Sequence, residues 1–269
     1  MTINGQSLQA DFSKGICVGI PVDFNGLQPS HFAAKRASTV PMRSGSFIGD
    51  TKLGGSCNVP VITINPHCNG THTESIGHIV DNQFSVHQAL PGGLKLATLI
   101  SVEPASVTAI DKHNRPALVN GDKVITKMML HQALQHISAV RFTALLIRTL
   151  PNDESKLGAR YGETTLPPFF TIEAIDYLNQ LGVKHLLVDM PSVDRMQDEG
   201  LLTVHHRFWN VAEGTHSLQA GSYIDKTITE MIYVPDEVRD GNYLLDLQIP
   251  AFSTDVAPSR PWLFPVEFV

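Results

Sequence analysis

Apolar residues fall into short runs separated by polar, Gly- and Pro-rich stretches, a pattern that predicts alternating strands and helices. Strands are predicted at 16–20, 61–64, 94–102, 139–147, 183–188, 224–234 and 243–249. Helices are predicted at 124–137, 171–181 and 199–209. In the second helix Ile172, Ile175 and Leu178 recur every three residues, and Gly182 follows as a helix-ending residue. This alternation of strand and helix predicts an α/β fold.

Two stretches do not follow this alternation. Residues 1–10 are polar and predict a loose N-terminal arm, so that residues 11–269 form a single domain. Residues 24–60 are rich in Gly, Pro, Ser and Asn, and predict a long structured excursion of the kind that is often functional. Its expected apolar anchors are Phe32, Val40, Met42, Phe47 and Ile48. At the C-terminal end Trp262, Phe264 and Phe268 are expected to pack against the body.

The composition excludes several classes of protein. Hydrophobic residues make up 42% and charged residues 17%, as in an ordinary globular protein, and the net charge of −6 argues against a nucleic-acid surface. Three cysteines are an odd set, which favours a reducing compartment over a disulfide framework. The N-terminus lacks the pattern of a signal peptide, and no apolar run approaches the roughly 18 residues of a membrane span. A cytoplasmic protein is therefore expected.

The stretch from His67 to His78, HCNGTHTESIGH, concentrates candidate metal ligands. It holds three histidines, one cysteine and one glutamate, and imidazole, thiolate and carboxylate are the donors that zinc takes. The alternative is a loop of ordinary surface histidines, which rarely crowds so many donor types together. The density of donors therefore predicts a metal site.

The spacing of these residues supports the same hypothesis. The Gly70-Thr71 pair predicts a turn that lets Cys68 and His72 converge on one point. His72 and Glu74 are two residues apart, and such residues point the same way in an extended backbone. His78, four residues further on, is close enough to stand over the site without being a ligand.

The segment resembles the signature of the metal-dependent cyclase family, which includes bacterial kynurenine formamidases and isatin hydrolases. That signature runs H-x-G-T-H-x-D-x-P-x-H. Four fixed positions match, at Gly70, Thr71, His72 and His78. The chain departs from the signature at three positions: Cys68 replaces the first His ligand, Glu74 replaces Asp, and Ile76 replaces Pro. Cysteine and glutamate both keep a metal donor, and His67 is an alternative to Cys68 as the first ligand.

Two later segments carry the resemblance further. Residues 189–194 resemble a D-x-P-S-x-D stretch that precedes a histidine pair in the family, here His205-His206. The likeness implies a metal ligand at His205, with His206 as the alternative. Glu230 lies in ITEMIYV, which resembles an E-N-L stretch whose Glu binds metal. An outward-facing Glu on an edge strand is the competing interpretation of Glu230.

Two metal arrangements follow from the resemblance, with zinc as the expected ion and manganese as the alternative. With two ions, Glu74 bridges them, Cys68 and His72 hold one, and His205 and Glu230 hold the other. With one ion, Cys68, His72 and Glu74 form the core and the later pair supports it. The sequence leaves the number of ions open.

The function that the resemblance implies is metal-dependent hydrolysis of a small, aromatic amide such as N-formylkynurenine or isatin, with His78 as the acid/base. Three alternatives remain open: a non-catalytic metal-binding protein, a small-molecule binding module, and a metal-dependent lyase or dehydratase. The implied fold is a single α/β domain with a mixed, barrel-like sheet and peripheral helices, of the swivelling β/β/α type. The implied assembly is a homo-oligomer, a dimer or a tetramer. The expected binding partner is a small-molecule substrate.

Overall fold

Eighteen strands are found in the part of the chain that a computed structural model of the protein describes, residues 1–3, 5–108, 113–137, 142–162 and 166–269. In chain order they are β1 (Thr2–Ile3), β2 (Gln6–Ala10), β3 (Ile16–Cys17), β4 (Ser38–Pro41), β5 (Arg43–Ser44), β6 (Phe47–Ile48), β7 (Pro60–Thr63), β8 (His72–Ser75), β9 (Lys95–Val102), β10 (Ala105–Ser106), β11 (Lys123–Ile125), β12 (Ala144–Thr149), β13 (Phe169–Phe170), β14 (His185–Val188), β15 (Thr227–Glu230), β16 (Gly241–Asp246), β17 (Val256–Pro258) and β18 (Trp262–Phe268).

Helices are few and short by comparison. The α-helices are α1 (Val86–Ala89), α2 (Lys127–Gln135), α3 (Ile172–Gln180) and α4 (Thr203–Trp209). Short 3₁₀ turns lie at Phe12–Lys14, Thr51–Leu53, Ile76–His78 and Glu154–Gly158. No helix among the described residues is both long enough and apolar enough to cross a membrane.

A large mixed sheet organises the molecule. Its strands follow the order β1-β2-β18-β16-β9-β12-β14-β15-β8-β17. The short strand β3 also pairs with β18. The central strands β9, β12, β14 and β15 run parallel, β8 pairs antiparallel with β15, and β17 pairs antiparallel with β8. The predicted fold class, a single mixed α/β domain with peripheral helices, is confirmed.

The central strands are buried on both faces, as the apolar run of β12 predicts. Leu145 and Ile147 belong to a core that also contains residues of α3 and α4. Ala144 and Leu146, which point the other way, belong to a second core on the opposite face. The sheet is therefore enclosed, and groups at its strand ends sit on a rigid support.

Several predicted elements are confirmed with shifted bounds. The second predicted helix is α3, and the strands predicted at 94–102 and 183–188 are β9 and β14. The helix predicted at 199–209 begins only at Thr203, because a turn that contains Gly200 precedes it. The predicted helix at 124–137 begins with strand β11 and becomes helical at Lys127. Residues 139–141 of the predicted strand 139–147 lie outside the described residues.

The expectations for the two chain ends were only partly right. The N-terminal residues form β1 and β2, and β2 pairs with β18, so this segment belongs to the main sheet rather than to a loose arm. The buried Leu8, which is 1% exposed, holds this N-terminal segment on the sheet. The aromatic residues of β18 do pack on the body at Trp262 and Phe264, whereas Phe268 is 40% exposed.

Three of the five apolar residues that were expected to anchor the excursion are exposed, whereas Phe47 and Ile48 are half-buried. Strands β4 and β7 pair only with each other in a two-stranded arm, and β7 is exposed along its length. Phe32, Val40 and Met42 are exposed, at 63%, 56% and 41%. The apolar strand predicted at 61–64 is therefore exposed and not part of the core. The residues of the candidate site follow it directly in the chain.

The buried His185 of β14 should make the free energy of unfolding depend on pH. Burial, followed by the charges of Lys95 and Lys184, lowers its pKa to about 3, and Nδ1 lies 2.9 Å from the Thr227 hydroxyl. Because the folded-state pKa lies below the unfolded value of about 6.5, the unfolded chain takes up the proton first. The contribution of His185 to the free energy of unfolding is thus fully present above about pH 6.5, and it is lost as pH falls from there towards 3.

We expect wild type to lose about 2 kcal/mol of unfolding free energy, relative to His185→Gln, between about pH 7.5 and pH 5. Urea unfolding of both proteins at the two pH values measures this difference. Taking the difference between the proteins cancels the other titrating groups. A difference that does not change with pH would contradict a neutral, buried His185.

Candidate metal centre

The pairing of β8 with β15 builds the centre. In this antiparallel pair His72 lies opposite Glu230, and Glu74 lies opposite Ile228. Residues two apart in a strand share a face, so His72, Glu74 and Glu230 project to the same side. All three are buried, at 0%, 1% and 3% exposure. Strand register therefore brings three donor side chains together. For two of them, His72 and Glu74, the spacing in the sequence predicts this.

Local hydrogen bonding fixes the orientation of His72. Its Nδ1 lies 2.9 Å from the Gly70 carbonyl oxygen, to which Nδ1–H donates. The lone pair is then on Nε2, which lies 3.3 Å from Glu230 Oε2 and has no hydrogen-bond partner among the described residues. A histidine with one nitrogen anchored and the other free is typical of metal ligands.

His205 is held in the same way by Asp194. The Asp194 carboxylate accepts the backbone N–H groups of Val204 and His205 at the start of α4, at 2.8 and 3.1 Å. It also accepts the His205 Nδ1–H at 2.5 Å, which directs Nε2 to Glu74 Oε1 at 2.9 Å. The carboxylate therefore sets both the helix start and the direction of the ring. Such carboxylate–histidine pairs orient metal ligands.

His67 enters the centre from the turn before β8. Its Nε2 lies 2.8 Å from Asp255 Oδ2, and its Nδ1 lies 3.1 Å from Glu74 Oε2. Asp255 comes from far along the chain, because β17 pairs with β8 and places Val256 opposite Glu74. His67 thus has the same arrangement as the other two histidines, with one nitrogen on an acceptor and the other facing a carboxylate of the centre.

The ligand atoms form two groups that share Glu74. Within each group all atoms lie within 4.8 Å of one another, and the groups are His67, Glu74 and His78, and His72, Glu74 and Glu230. Neither group contains Cys68, although Cys68 is buried and lines the same cavity. Burial and the nearby Glu230 charge raise the pKa of the Cys68 thiol.

His78 stands over the centre. It ends the 3₁₀ turn after β8, and its ring centroid is 4.3 Å from that of His67 and 5.4 Å from that of His205. Nε2 is 3.9 Å from Glu74 Oε2, and Nδ1 is 3.6 Å from Asp255 Oδ2. Its side chain is 27% exposed. It can therefore exchange protons with both solvent and the buried donors.

Opposite charges in the centre stabilise one another. Burial opposes ionisation of Glu74, but His78 and His205 lower the pKa of its carboxyl well below the ordinary range. Burial likewise opposes protonation of His67, but the hydrogen bond to Asp255 and the facing Glu74 carboxylate raise its pKa to about 10. Hydrogen bonds from His67 and His78 lower the pKa of Asp255. Glu74 and Asp255 are thus held in the anionic form that a cation requires.

This donor set fits a divalent metal ion. Two of its atoms, His72 Nε2 and Glu74 Oε2, are buried with no hydrogen-bond partner among the described residues. Buried polar atoms are normally paired, and atoms that converge on one point without partners are explained by a ligand between them. Imidazole nitrogens with carboxylate oxygens suit zinc, and manganese takes the same donor types.

The remaining sequence-predicted residue lies elsewhere. His206 is buried, but it does not line the cavity beside the donors, and its ring centroid is 6.4 Å from that of His216. Helical geometry explains the difference between the two neighbours, since adjacent residues of a helix point about 100° apart. Of the histidine pair, only His205 faces Glu74.

Sequence reasoning missed three residues of this region. Asp194 ends a segment that resembles a family motif, but the likeness assigns it no role, and neither Asp255 nor His31 lies in such a segment. The motif was a usable signal for Asp194. Asp255 and His31 carry none, because strand pairing and a long loop bring them to the site from distant positions.

A cavity of about 200 Å³ opens beside the donors. Its walls include Phe32, Pro191 and Leu202, with Arg195 further along. Arg195 contacts Asp122 at 3.1 Å, so its charge is partly balanced. The space is small and largely apolar apart from the donors. It suits a small planar molecule more than a long or highly charged one.

Comparison with known proteins places this geometry in context. The model of the family described as "Putative cyclase" matches residues 19–195. A kynurenine formamidase from Bacillus thuringiensis subsp. konkukian is 27% identical over 213 residues, which cover 79% of this chain and 82% of that protein. A kynurenine formamidase from Bacillus cytotoxicus is 26% identical over the same coverage.

Solved structures share the fold at lower identity. A protein from Bacillus stearothermophilus described as a "predicted metal-dependent hydrolase" superposes with a TM-score of 0.59 at 19% identity, covering 93% of this chain and 98% of that one. Isatin hydrolase A from Labrenzia aggregata superposes with a TM-score of 0.61 at 15% identity, covering 94% of each chain. At these identities the likeness concerns the fold.

Proposed function

The chain belongs to the cyclase family, and from this membership and the donor cluster we propose that it is a metal-dependent hydrolase that cleaves a carbon–nitrogen bond, other than a peptide bond, in a small amide. One observation carries the proposal. Glu74 is common to two groups of donor atoms, and its Oε2 is buried without a hydrogen-bond partner among the described residues. A carboxylate in that position is suited to hold one ion or to bridge two.

The proposed ligands are the donors that converge on Glu74. They are His67, His72, Glu74, His205 and Glu230. This set replaces Cys68 by His67, because His67 has both a nitrogen facing Glu74 and an orienting partner in Asp255. If two ions bind, the ligands would be divided between them differently from the arrangement that the sequence suggested, since His72 groups with Glu230. Zinc is the proposed ion, and manganese is the alternative.

The protein side chains then have defined tasks. A bound zinc ion lowers the pKa of water from about 15.7 to about 7 and polarises a carbonyl. His78 accepts a proton from the attacking water and delivers it to the departing amine nitrogen. Asp255, 3.6 Å from His78 Nδ1, orients that ring. Phe32, Pro191 and Leu202 exclude water from the apolar part of the substrate.

An arylformamide is the proposed substrate. The relatives found by sequence are kynurenine formamidases, and the cavity of about 200 Å³ has room for a small aromatic group. N-formylkynurenine and isatin are therefore the first compounds to assay. Homo-oligomer formation and a cytoplasmic location stay predictions from the sequence. The exposed apolar side chains of the arm formed by β4 and β7 are consistent with association.

Metal analysis of the purified protein, combined with hydrolysis assays on these two compounds, tests the proposal. We expect near-stoichiometric zinc or manganese and turnover of at least one compound. His67→Ala should weaken metal binding at least tenfold, because it removes a donor that faces Glu74. Cys68→Ala should keep the metal. Exposed His87→Ala and exposed Cys57→Ala are the matched controls.

Each alternative has its own outcome. Loss of metal in Cys68→Ala but not in His67→Ala would return the first ligand to Cys68. Bound metal without turnover of any amide would favour a non-catalytic binding protein. No metal after reconstitution with zinc and with manganese would remove the basis of the proposed function.

A further inference from the structure

His31 is a buried polar residue beside the metal centre that the mechanism above does not use. Its side chain is 3% exposed, and neither Nδ1 nor Nε2 has a hydrogen-bond partner among the described residues. Buried polar side-chain atoms are paired in the large majority of cases, so an imidazole with both nitrogens unpaired requires an explanation. A missing ligand that supplies the partner is one such explanation.

The backbone around His31 holds the ring in place. The His31 N–H donates to the Cys68 carbonyl at 3.1 Å, which ties the loop to the turn that precedes β8. On the other side, the Ser30 N–H donates to the Ala159 carbonyl at 2.9 Å. Phe32 follows with a φ of 51°, a left-handed conformation that is unfavourable for a bulky residue. Strained backbone of this kind is concentrated at active sites.

The ring faces the same cavity as the metal donors. His31 lines it together with Cys68, Glu74 and Glu230. The contacts of His78 lie instead with His67, Glu74, Asp255 and His205. His78 thus contacts carboxylates of the centre, whereas neither ring nitrogen of His31 has a hydrogen-bond partner among the described residues.

His31 is neutral by the same geometry. No carboxylate pairs with either ring nitrogen among the described residues, and a buried imidazolium without a partner is costly. A neutral imidazole has one N–H donor and one lone pair. An amide substrate offers a complementary carbonyl oxygen.

We propose that His31 donates a hydrogen bond to the carbonyl oxygen of the amide that is cleaved. This inference rests on the proposed hydrolase function. When the water oxygen bonds to the carbonyl carbon, the π electrons of C=O move to the carbonyl oxygen, and the hydrogen bond from His31 strengthens. When the C–N bond breaks, the C=O bond re-forms, and the amine leaves with the proton from His78. His31 gives up no proton in either step.

Two substitutions at His31 separate this role from a structural one. His31→Phe keeps a planar ring but removes both nitrogens, and His31→Gln keeps an N–H donor. We expect His31→Phe to lower kcat and kcat/KM together by about 10²–10³-fold, as for loss of one donor to a developing oxyanion. His31→Gln should recover at least tenfold of that loss. His87→Phe is the control for the same substitution at an exposed site.

Metal content and melting temperature are the readouts that do not depend on activity. The metal content of His31→Phe should equal that of wild type, and its melting temperature should be unchanged or higher, because two unpaired buried atoms are removed. Loss of metal would make His31 a ligand and overturn the proposal. A rise in KM with kcat unchanged, or a lower melting temperature with full activity, would also overturn it.

The outcome stays distinguishable from failure of the proposed function. If the wild type binds metal but hydrolyses no amide, the proposed function fails. The melting temperatures then decide about His31 alone. A variant at least as stable as wild type supports a ligand-facing His31, and a less stable variant shows that the ring is needed for packing.

Discussion

Glu74→Gln is expected to remove bound metal and to lower kcat/KM by about 10³-fold or more. The two carboxylate oxygens serve different neighbours, since Oε1 lies 2.9 Å from His205 Nε2 and Oε2 lies 3.1 Å from His67 Nδ1. An amide keeps one oxygen and places an NH₂ group where the other was. That NH₂ group cannot bind a cation, so either the oxygen that faces His205 or the oxygen that faces His67 is lost, whichever way the amide turns.

Metal analysis and steady-state kinetics of Glu74→Gln measure this effect. The matched control is Glu173→Gln, the same substitution at an exposed position of α3. Circular dichroism should show that both variants are folded, because the substitution preserves volume. Near-stoichiometric metal with wild-type activity in Glu74→Gln would exclude Glu74 as a ligand. Retained metal with lost activity would instead give Glu74 a role in proton transfer.

The sequence alone was sufficient for those parts of the site that depend on local geometry. His72 and Glu74 share a face because strand side chains alternate, and this holds whatever the strand pairs with. Glu230 is different. It meets His72 through the register of β8 with β15, more than 150 residues apart in the chain, and only the resemblance to a known family indicated its role.

The errors have a common physical cause. Sequence periodicity shows that a residue is apolar but not what covers it, so Phe32 and Val40 were predicted as anchors although they are exposed. In the same way, nothing near His67 in sequence indicates Asp255, which strand pairing brings to it from 188 residues away. The sequence favours Cys68 as the first ligand with His67 as the alternative, and the proposal of His67 rests on the packing of β17.

His78→Gln is expected to lower kcat by about 10²–10⁴-fold, the contribution typical of a general acid/base. Metal should be retained, because the ring is 3.9 Å from Glu74 Oε2 and the proposed ligands remain in place. Glutamine can still form a hydrogen bond, but it cannot accept and deliver a proton at neutral pH. Exposed His87→Gln is the matched control, for which no change is expected.

The leaving group makes this prediction specific to proton delivery. An amine must receive a proton as the C–N bond breaks, whereas 4-nitrophenolate leaves as a stable anion. The loss caused by His78→Gln should therefore be at least tenfold smaller with 4-nitrophenyl formate than with an arylformamide. An equal loss on both compounds would mean that His78 activates the attacking water without assisting departure. Loss of metal from the variant would instead make His78 a ligand, a role that its position in one donor group with His67 and Glu74 also permits.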